Sequence, residues 1–181
     1  IRDRFLLEAC PGEIAGVDPE QVYQRVCTDT RAVRPGDLFV ALRGERFNGN
    51  AFAAAALKAG AVAAVVDEPM DAAPVLLVAD ARVAYGQLAA AHRWEFDCPV
   101  FGVAGSNGKT STKDMLASVL GVERNVLRSE ASFNNDVGVP ATLLQLGPEH
   151  EAAVVELGTT HPGELAPLVQ MAPPDYGVLT G

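Results

Sequence analysis

The chain has 181 residues, 49% hydrophobic and 20% charged, the balance of a soluble globular protein long enough for one large domain or two small ones. A formal net charge of -9 excludes a general phosphate-backbone binder, so no nucleic-acid partner is expected and any nucleotide has to be gripped locally. Cys10, Cys27 and Cys98 are odd in number and lack the paired spacing of a zinc or redox motif, so they read as reduced, packed thiols of a cytoplasmic protein.

In chain order, "GDLFVAL" (Gly36 to Leu42) is an apolar run after a Pro-Gly turn and reads as a buried strand. "NAFAAAALKAG" has helix-forming composition with Gly60 placed as a stop, and "AVAAVVD" and "PVLLVAD" read as two further strands. The alanine- and valine-rich stretch Ala51 to Val66 is broken by Lys58 and Gly60 and is too short to span a bilayer, and the opening residues do not read as a leader. No membrane partner is therefore expected. "RVAYGQLAAAHRW" (Arg82 to Trp94) places apolar residues at helical spacing, and "EFDCP" ends it before Pro99. A linker there divides the chain near residue 97, giving domains 1–97 and 98–181. Beyond it, "VFGVA" reads as a strand, Lys109 to Leu120 as a helix and "AAVVEL" (Ala152 to Leu157) as a strand. "PGELAPLVQMA" reads as a helix despite Pro167, and "YGVLT" as a last strand. Such alternation predicts an α/β protein whose sheets are mostly parallel.

The stretch "FGVAGSNGKTSTKDML" runs from a strand through a glycine-rich turn into a helix. That arrangement aims several backbone N–H groups, and the positive end of the helix dipole, at one point, which suits phosphate. Gly105 and Gly108 allow the tight turn and the close approach of phosphate oxygens, Lys109 can reach the terminal phosphates, and the Thr110 hydroxyl can ligate magnesium. The general pattern G-x-x-x-x-G-K-[ST] is not met, because its first glycine would fall on Val103. Glu156, after the apolar "AAVV", is either a second magnesium anchor or a solvated acid at a strand end.

"GVAGSNGKTSTKDML" resembles the ATP-binding segment of the Mur ligases, ATP-dependent amide ligases of bacterial cell-wall precursor assembly, in the family's shorter form G-[ST]-x-G-K-[ST]. "SFNNDVGVPATLLQL" (Ser132 to Leu146) and "VVELGTTHPGELAPLVQMAPPDYGVLT" are similar to segments of the family member that adds D-alanyl-D-alanine. "CTDTRAVRPGDLFVALRGERFNGNAFAAAALKAGAVAAVV" resembles the family's N-terminal domain, and the likeness covers residues 27 to 181.

The resemblance implies a small α/β UDP-sugar-binding domain followed by a partial phosphate-loop domain with a mostly parallel sheet. It implies ATP and magnesium as cofactors, and UDP-N-acetylmuramoyl-tripeptide and D-alanyl-D-alanine as partners, joined through an acyl phosphate. Gly105, Ser106, Asn107, Gly108, Lys109, Thr110 and Ser111 would cradle the ATP phosphates, with Lys109 catalytic and Thr110 and Glu156 holding the metal. Asn134 and Asn135 would join the ATP site, although "FNND" also reads as a plain turn. Thr159, Thr160 and His161 would face the metal and the sugar-peptide carboxylate; taken alone, His161 reads as a helix-start or surface histidine rather than a ligand. Thr28, Asp29, Thr30 and Arg31 would bind the UDP-sugar with Gly44, Asn48 and Gly49; taken alone, "TDTR" is a polar turn held by an Asp-Arg pair. His92 and His150 have no such context. By the same likeness a third domain, the adenine contacts and the family's carboxylated lysine would lie beyond residue 181, and the 181 residues alone are expected to be inactive. Alternatives are the ligase adding the third peptide residue, folylpolyglutamate synthetase, or a non-catalytic nucleotide-binding protein.

Overall fold

The computed structural model describes residues 12–16, 22–44, 47–131, 133–159 and 163–181. The chain divides into two compact units, Ile1–Leu88 and Ala89–Gly181. The division falls inside a helix, Ala81–Arg93, ahead of the linker expected near residue 97.

The first unit is built on a five-stranded sheet whose order is β1 (Glu13–Ala15), β7 (Val75–Leu77), β6 (Ala63–Val66), β3 (Asp37–Val40) and β2 (Arg25–Cys27). The β2–β3, β3–β6 and β6–β7 pairs are parallel and β1 joins β7 antiparallel. Every residue of β3 and β6 is buried, as the continuous apolar runs require of strands covered on both faces. Helix α1 (Asn50–Lys58) lays Ala53 and Ala56 against Phe39, Ala64 and Val66. A two-stranded ribbon, β4 (Arg43–Gly44) with β5 (Phe47–Asn48), stands beside the sheet. Arg25 ties β2 to β3 through Asp37, with Nη2 2.6 Å from Oδ2. Helix α2 (Ala81–Arg93) starts one residue earlier than its spacing suggests, because Asp80 Oδ1 accepts from the Arg82 and Val83 amides.

The second unit carries a four-stranded, wholly parallel sheet in the order β11 (Tyr176–Thr180), β8 (Val100–Gly105), β10 (Ala152–Glu156) and β9 (Val126–Arg128). Alternate residues of its strands face two different cores. Val100, Ala104, Ala153 and Val155 meet Val139 and Leu143 of α4 (Gly138–Leu143) and Leu168 of α5 (Leu165–Met171). Val103 and Val154 meet Ala117 of α3 (Lys109–Leu120), which coincides with the helix expected from sequence. The parallel arrangement brings the carboxyl ends of β8, β10 and β11 to one edge, with Glu156 level with Val103 and Thr180 level with Gly105. That edge is where an open parallel sheet takes its ligands.

Candidate functional site

The phosphate loop occupies that edge. β8 ends at Gly105, residues 106–108 turn, and α3 begins at Lys109. Gly105 has φ 137°, and a β-carbon on it would overlap the Thr180 carbonyl oxygen, so the close approach of β11 requires glycine. Gly108 has φ 75°, the left-handed bend that turns the chain into the helix. The Ser106 amide donates to Thr180 O at 3.2 Å, which fastens the loop to β11. Lys109 Nζ folds back over the loop and donates to Gly105 O at 2.9 Å and Ser106 O at 3.3 Å. The first N–H groups of α3 have no acceptor within the helix and point out of its N-terminus beside this ammonium. Ser106, Asn107 and Ser111 are exposed around the loop.

Glu156 is not a solvated strand end. It is 2% exposed, and both of its oxygens are engaged: Oε2 accepts from Thr110 Oγ1 at 2.9 Å and Oε1 from Asn134 Nδ2 at 2.9 Å. Its amide donates to Ser129 Oγ at 3.1 Å. Two oxygens bound side by side on an octahedral magnesium, each about 2.0–2.1 Å from the ion, stand roughly 2.9 Å apart. The Thr110–Glu156 spacing therefore suits a shared magnesium, an ion that needs few protein ligands because waters and phosphate oxygens complete its shell. A denser metal centre is not present among the described residues, where no group of three or more His, Cys, Asp and Glu side chains converges.

The two asparagines divide their work. Asn134 holds Glu156, whereas Asn135 Oδ1 accepts from the Val137 and Gly138 amides at 3.2 and 2.8 Å and starts α4, as the turn reading expects. Both line a cleft of about 470 Å³ with Lys109, Asp136, Gly158, Thr159 and Glu164. Thr160 and His161 lie outside the described residues, as does Cys10. His92 is half-buried on α2 with Nε2 3.0 Å from Leu146 O, and burial lowers its pKa; His150 Nδ1 accepts from the Gly147 amide. Both are structural.

Lys113 is the residue that the sequence conceals. It is 1% exposed, and its Nζ donates to Ser129 O at 3.0 Å and Ala131 O at 3.4 Å, 4.0 Å from Glu156 Oε2. In the sequence it is one more polar residue in a helix.

A second hollow, of about 480 Å³, lies in the first unit and is lined by Thr28, Asp29, Thr30, Arg31 and Gly49 together with Phe39, Phe47 and Phe52. Arg31 grips Asp29 with Nη2 2.6 Å from Oδ2 and Nε 2.9 Å from Oδ1, and its amide donates to the same carboxylate. Those hydrogen bonds hold the Asp29 pKa down at about 2. The Asp-Arg turn and the lining of the hollow are thus the same structure. Gly44 and Asn48 are not among its described lining residues: Asn48 Nδ2 bonds the Glu68 carboxylate and its Oδ1 accepts from Asn50. The three phenylalanines come from β3, β5 and α1, and the sequence reading places Phe39 in a strand and Phe52 in a helix without marking any of the three as a site residue.

No helix among the described residues is long and apolar enough to cross a membrane, and the described cysteines, Cys27 and Cys98, are free and buried.

Two family models match the chain: "Mur ligase family, catalytic domain" over residues 22–93 and "Mur ligase middle domain" over residues 103–181. It is 42% identical to the UDP-N-acetylmuramoyl-tripeptide–D-alanyl-D-alanine ligase of Synechocystis sp., over 98% of this chain and 40% of the relative. The structure superimposes on MurF from Acinetobacter baumannii with a TM-score of 0.90 at 38% identity, covering 97% of this chain and 40% of that one. On the MurF ligase from Thermotoga maritima in complex with ADP the score is 0.79 at 35% identity, covering 86% and 36%. The chain thus spans about 40% of the length of the curated relatives it matches. With the phosphate loop, the buried acid behind it and both models laid along one polypeptide, the chain belongs to the Mur ligase family.

Proposed function

We propose that the protein takes part in ATP-dependent amide ligation, adding D-alanyl-D-alanine to UDP-N-acetylmuramoyl-tripeptide during cell-wall precursor synthesis. The observation that carries this reading is the Thr110–Glu156 pair, 2.9 Å apart, behind a loop whose lysine lies over it. The name of the Synechocystis relative supports the choice of substrates. In this reading residues 98–181 hold ATP, and residues 1–97 hold the UDP-sugar-peptide in the hollow walled by Phe39, Phe47 and Phe52, where flat rings suit a pyrimidine and Thr28, Thr30 and Arg31 supply donors. ATP and a UDP-activated sugar are cytoplasmic reagents, and free buried cysteines agree with that compartment.

A carboxylate resists an amine because its oxygen is a poor leaving group. One carboxylate oxygen of the sugar-peptide attacks the γ-phosphorus of ATP, ADP departs, and an acyl phosphate results. The amine of D-alanyl-D-alanine then adds to that carbonyl and loses a proton, and phosphate leaves as the amide forms. Lys109 balances charge on the phosphoryl oxygens, the amides of α3 orient them, and Asn134 keeps the Glu156 carboxylate turned toward Thr110. Magnesium held by Thr110 and Glu156 would supply charge neutralisation at the phosphates. Asp136 and Glu164, in the cleft with Lys109, can attract an ammonium group.

A phosphate-release assay on the intact protein tests the reading. Release that requires ATP, UDP-N-acetylmuramoyl-tripeptide and D-alanyl-D-alanine together is expected. Release driven by a single amino acid with the UDP-sugar-dipeptide, or by glutamate with folate, would transfer the assignment to another ligase of the same design. Binding of nucleotide without turnover would reduce the protein to a binding module. In the same assay Glu156→Gln keeps the side-chain shape and is expected to raise the magnesium needed for half-maximal rate, about ten- to a hundredfold.

A further inference from the structure

We propose that Lys113 is a positioning residue of the nucleotide site, tying the segment that carries Asn134 to the helix that carries Lys109 and Thr110 and holding the Glu156 carboxylate in place between them. This rests on the nucleotide reading above and goes beyond it.

Lys113 lies three residues after Thr110 and four after Lys109, so it sits one turn along α3 on the side of the phosphate loop, and its side chain runs inward. There the ammonium meets the carbonyls of Ser129 and Ala131, the Asp114 carboxylate at 3.4 Å and Glu156 Oε2 at 4.0 Å. Ser129 also accepts the amide of Glu156, and the chain beyond Ala131 leads to Asn134, which donates to the other Glu156 oxygen. Ala131 turns through φ 40°, a conformation that an alanine adopts only when its surroundings impose it, and the Lys113 bond to its carbonyl is one such constraint. One cation therefore bonds the segment 129–131 and faces Glu156 from the helix that carries Thr110. Packing alone does not call for a lysine here, since an apolar side chain of similar length in place of a buried charge is often neutral or stabilising. What the ammonium adds is direction. It fixes the loop from which Asn134 reaches Glu156, and it stands 4.0 Å from Oε2 on the side away from Asn134's own bond to Oε1.

Calorimetric titration of ADP into the intact protein, once with magnesium and once with EDTA, reads this directly. Wild-type protein is expected to bind ADP more tightly with magnesium. In Lys113→Met that enhancement is expected to fall about tenfold or more, while affinity in EDTA, which rests on the loop amides and Lys109, is retained and the affinity for UDP is unchanged. A parallel loss in magnesium and in EDTA, or an enhancement equal to wild type, would overturn the positioning role and leave Lys113 as packing. Should circular dichroism show Lys113→Met unfolded, Lys113→Gln takes its place with the same expectation and the same overturning results. Wild-type protein that binds no ADP in either condition would sink the nucleotide reading and this inference with it.

Discussion

The two candidate sites are built on opposite plans. The phosphate site of the second unit is made of backbone and of charges buried beneath it: glycines, helix amides, and Lys113 and Glu156 at 1% and 2% exposure. The hollow of the first unit is made of side chains at the surface: an Asp29–Arg31 pair whose arginine is 88% exposed, and two phenylalanines, Phe47 and Phe52, about half exposed. Under the proposed function the contrast follows from what each would hold. A phosphate group is small, highly charged and best met by fixed dipoles at close quarters. A nucleoside sugar is broad and partly apolar, and is best met by flat walls and donors that can adjust.

The plans differ in how sharply a single substitution cuts, and the largest effect belongs to the phosphate site. Lys109→Ala in the intact protein is expected to lower kcat a hundredfold or more, roughly 3 kcal/mol of transition-state stabilisation, with circular dichroism unchanged. Near-normal turnover would mean that the loop cations are not what sets this site apart. A smaller effect is expected at the hollow. Phe47→Ala removes one aromatic wall and is expected to weaken UDP-sugar binding by about 1–3 kcal/mol, roughly five- to 150-fold in Kd by calorimetry. The same variant should leave ADP affinity untouched; a joint loss would erase the distinction between the sites.

The smallest effect concerns pH. Asp29 is depressed to about 2 from an ordinary 3.8, chiefly by its hydrogen bonds with Arg31. A lowered carboxylate pKa stabilises fully above 3.8 and loses its contribution as pH falls toward about 2. The melting-temperature difference between wild type and Arg31→Ala is therefore expected to be small and flat at neutral pH and to vanish in that acid window. A difference that instead changed around neutrality would point to a group other than Asp29.

These contrasts also explain what the sequence could reveal. The glycine-rich turn is legible because its pattern is local: two glycines, a lysine and a threonine sit in one turn, and α3 runs from Lys109 to Leu120 as expected. Glu156 stood out as a lone acid closing an apolar run. Lys113 did not, because its burial depends on Ser129 and Ala131, which arrive from another strand's end. The wall of the hollow was hidden for the same reason, since Phe39, Phe47 and Phe52 converge only after β3, β5 and α1 pack. Short elements escaped as well. β9 is three residues long, and α4 carries Gly138 and Pro140, residues that argue against a helix until the Asn135 side chain caps its start.

The two glycines of the phosphate loop look interchangeable on paper, yet the fold restricts them by different rules. At Gly105 room is added to rotation: φ is 137°, and the Thr180 carbonyl also occupies the place where any β-carbon would go, so no other amino acid can substitute. At Gly108 nothing lies within 4 Å of a built β-carbon, and the prohibition is one of rotation, φ 75°, which asparagine satisfies more readily than any other side chain. Over many generations of drift, then, the first position is frozen while the second retains an alphabet of at least two letters. The loop's apparent symmetry conceals one site where a steric veto is laid over the backbone conformation and one where a conformational preference acts alone, which mutation can negotiate.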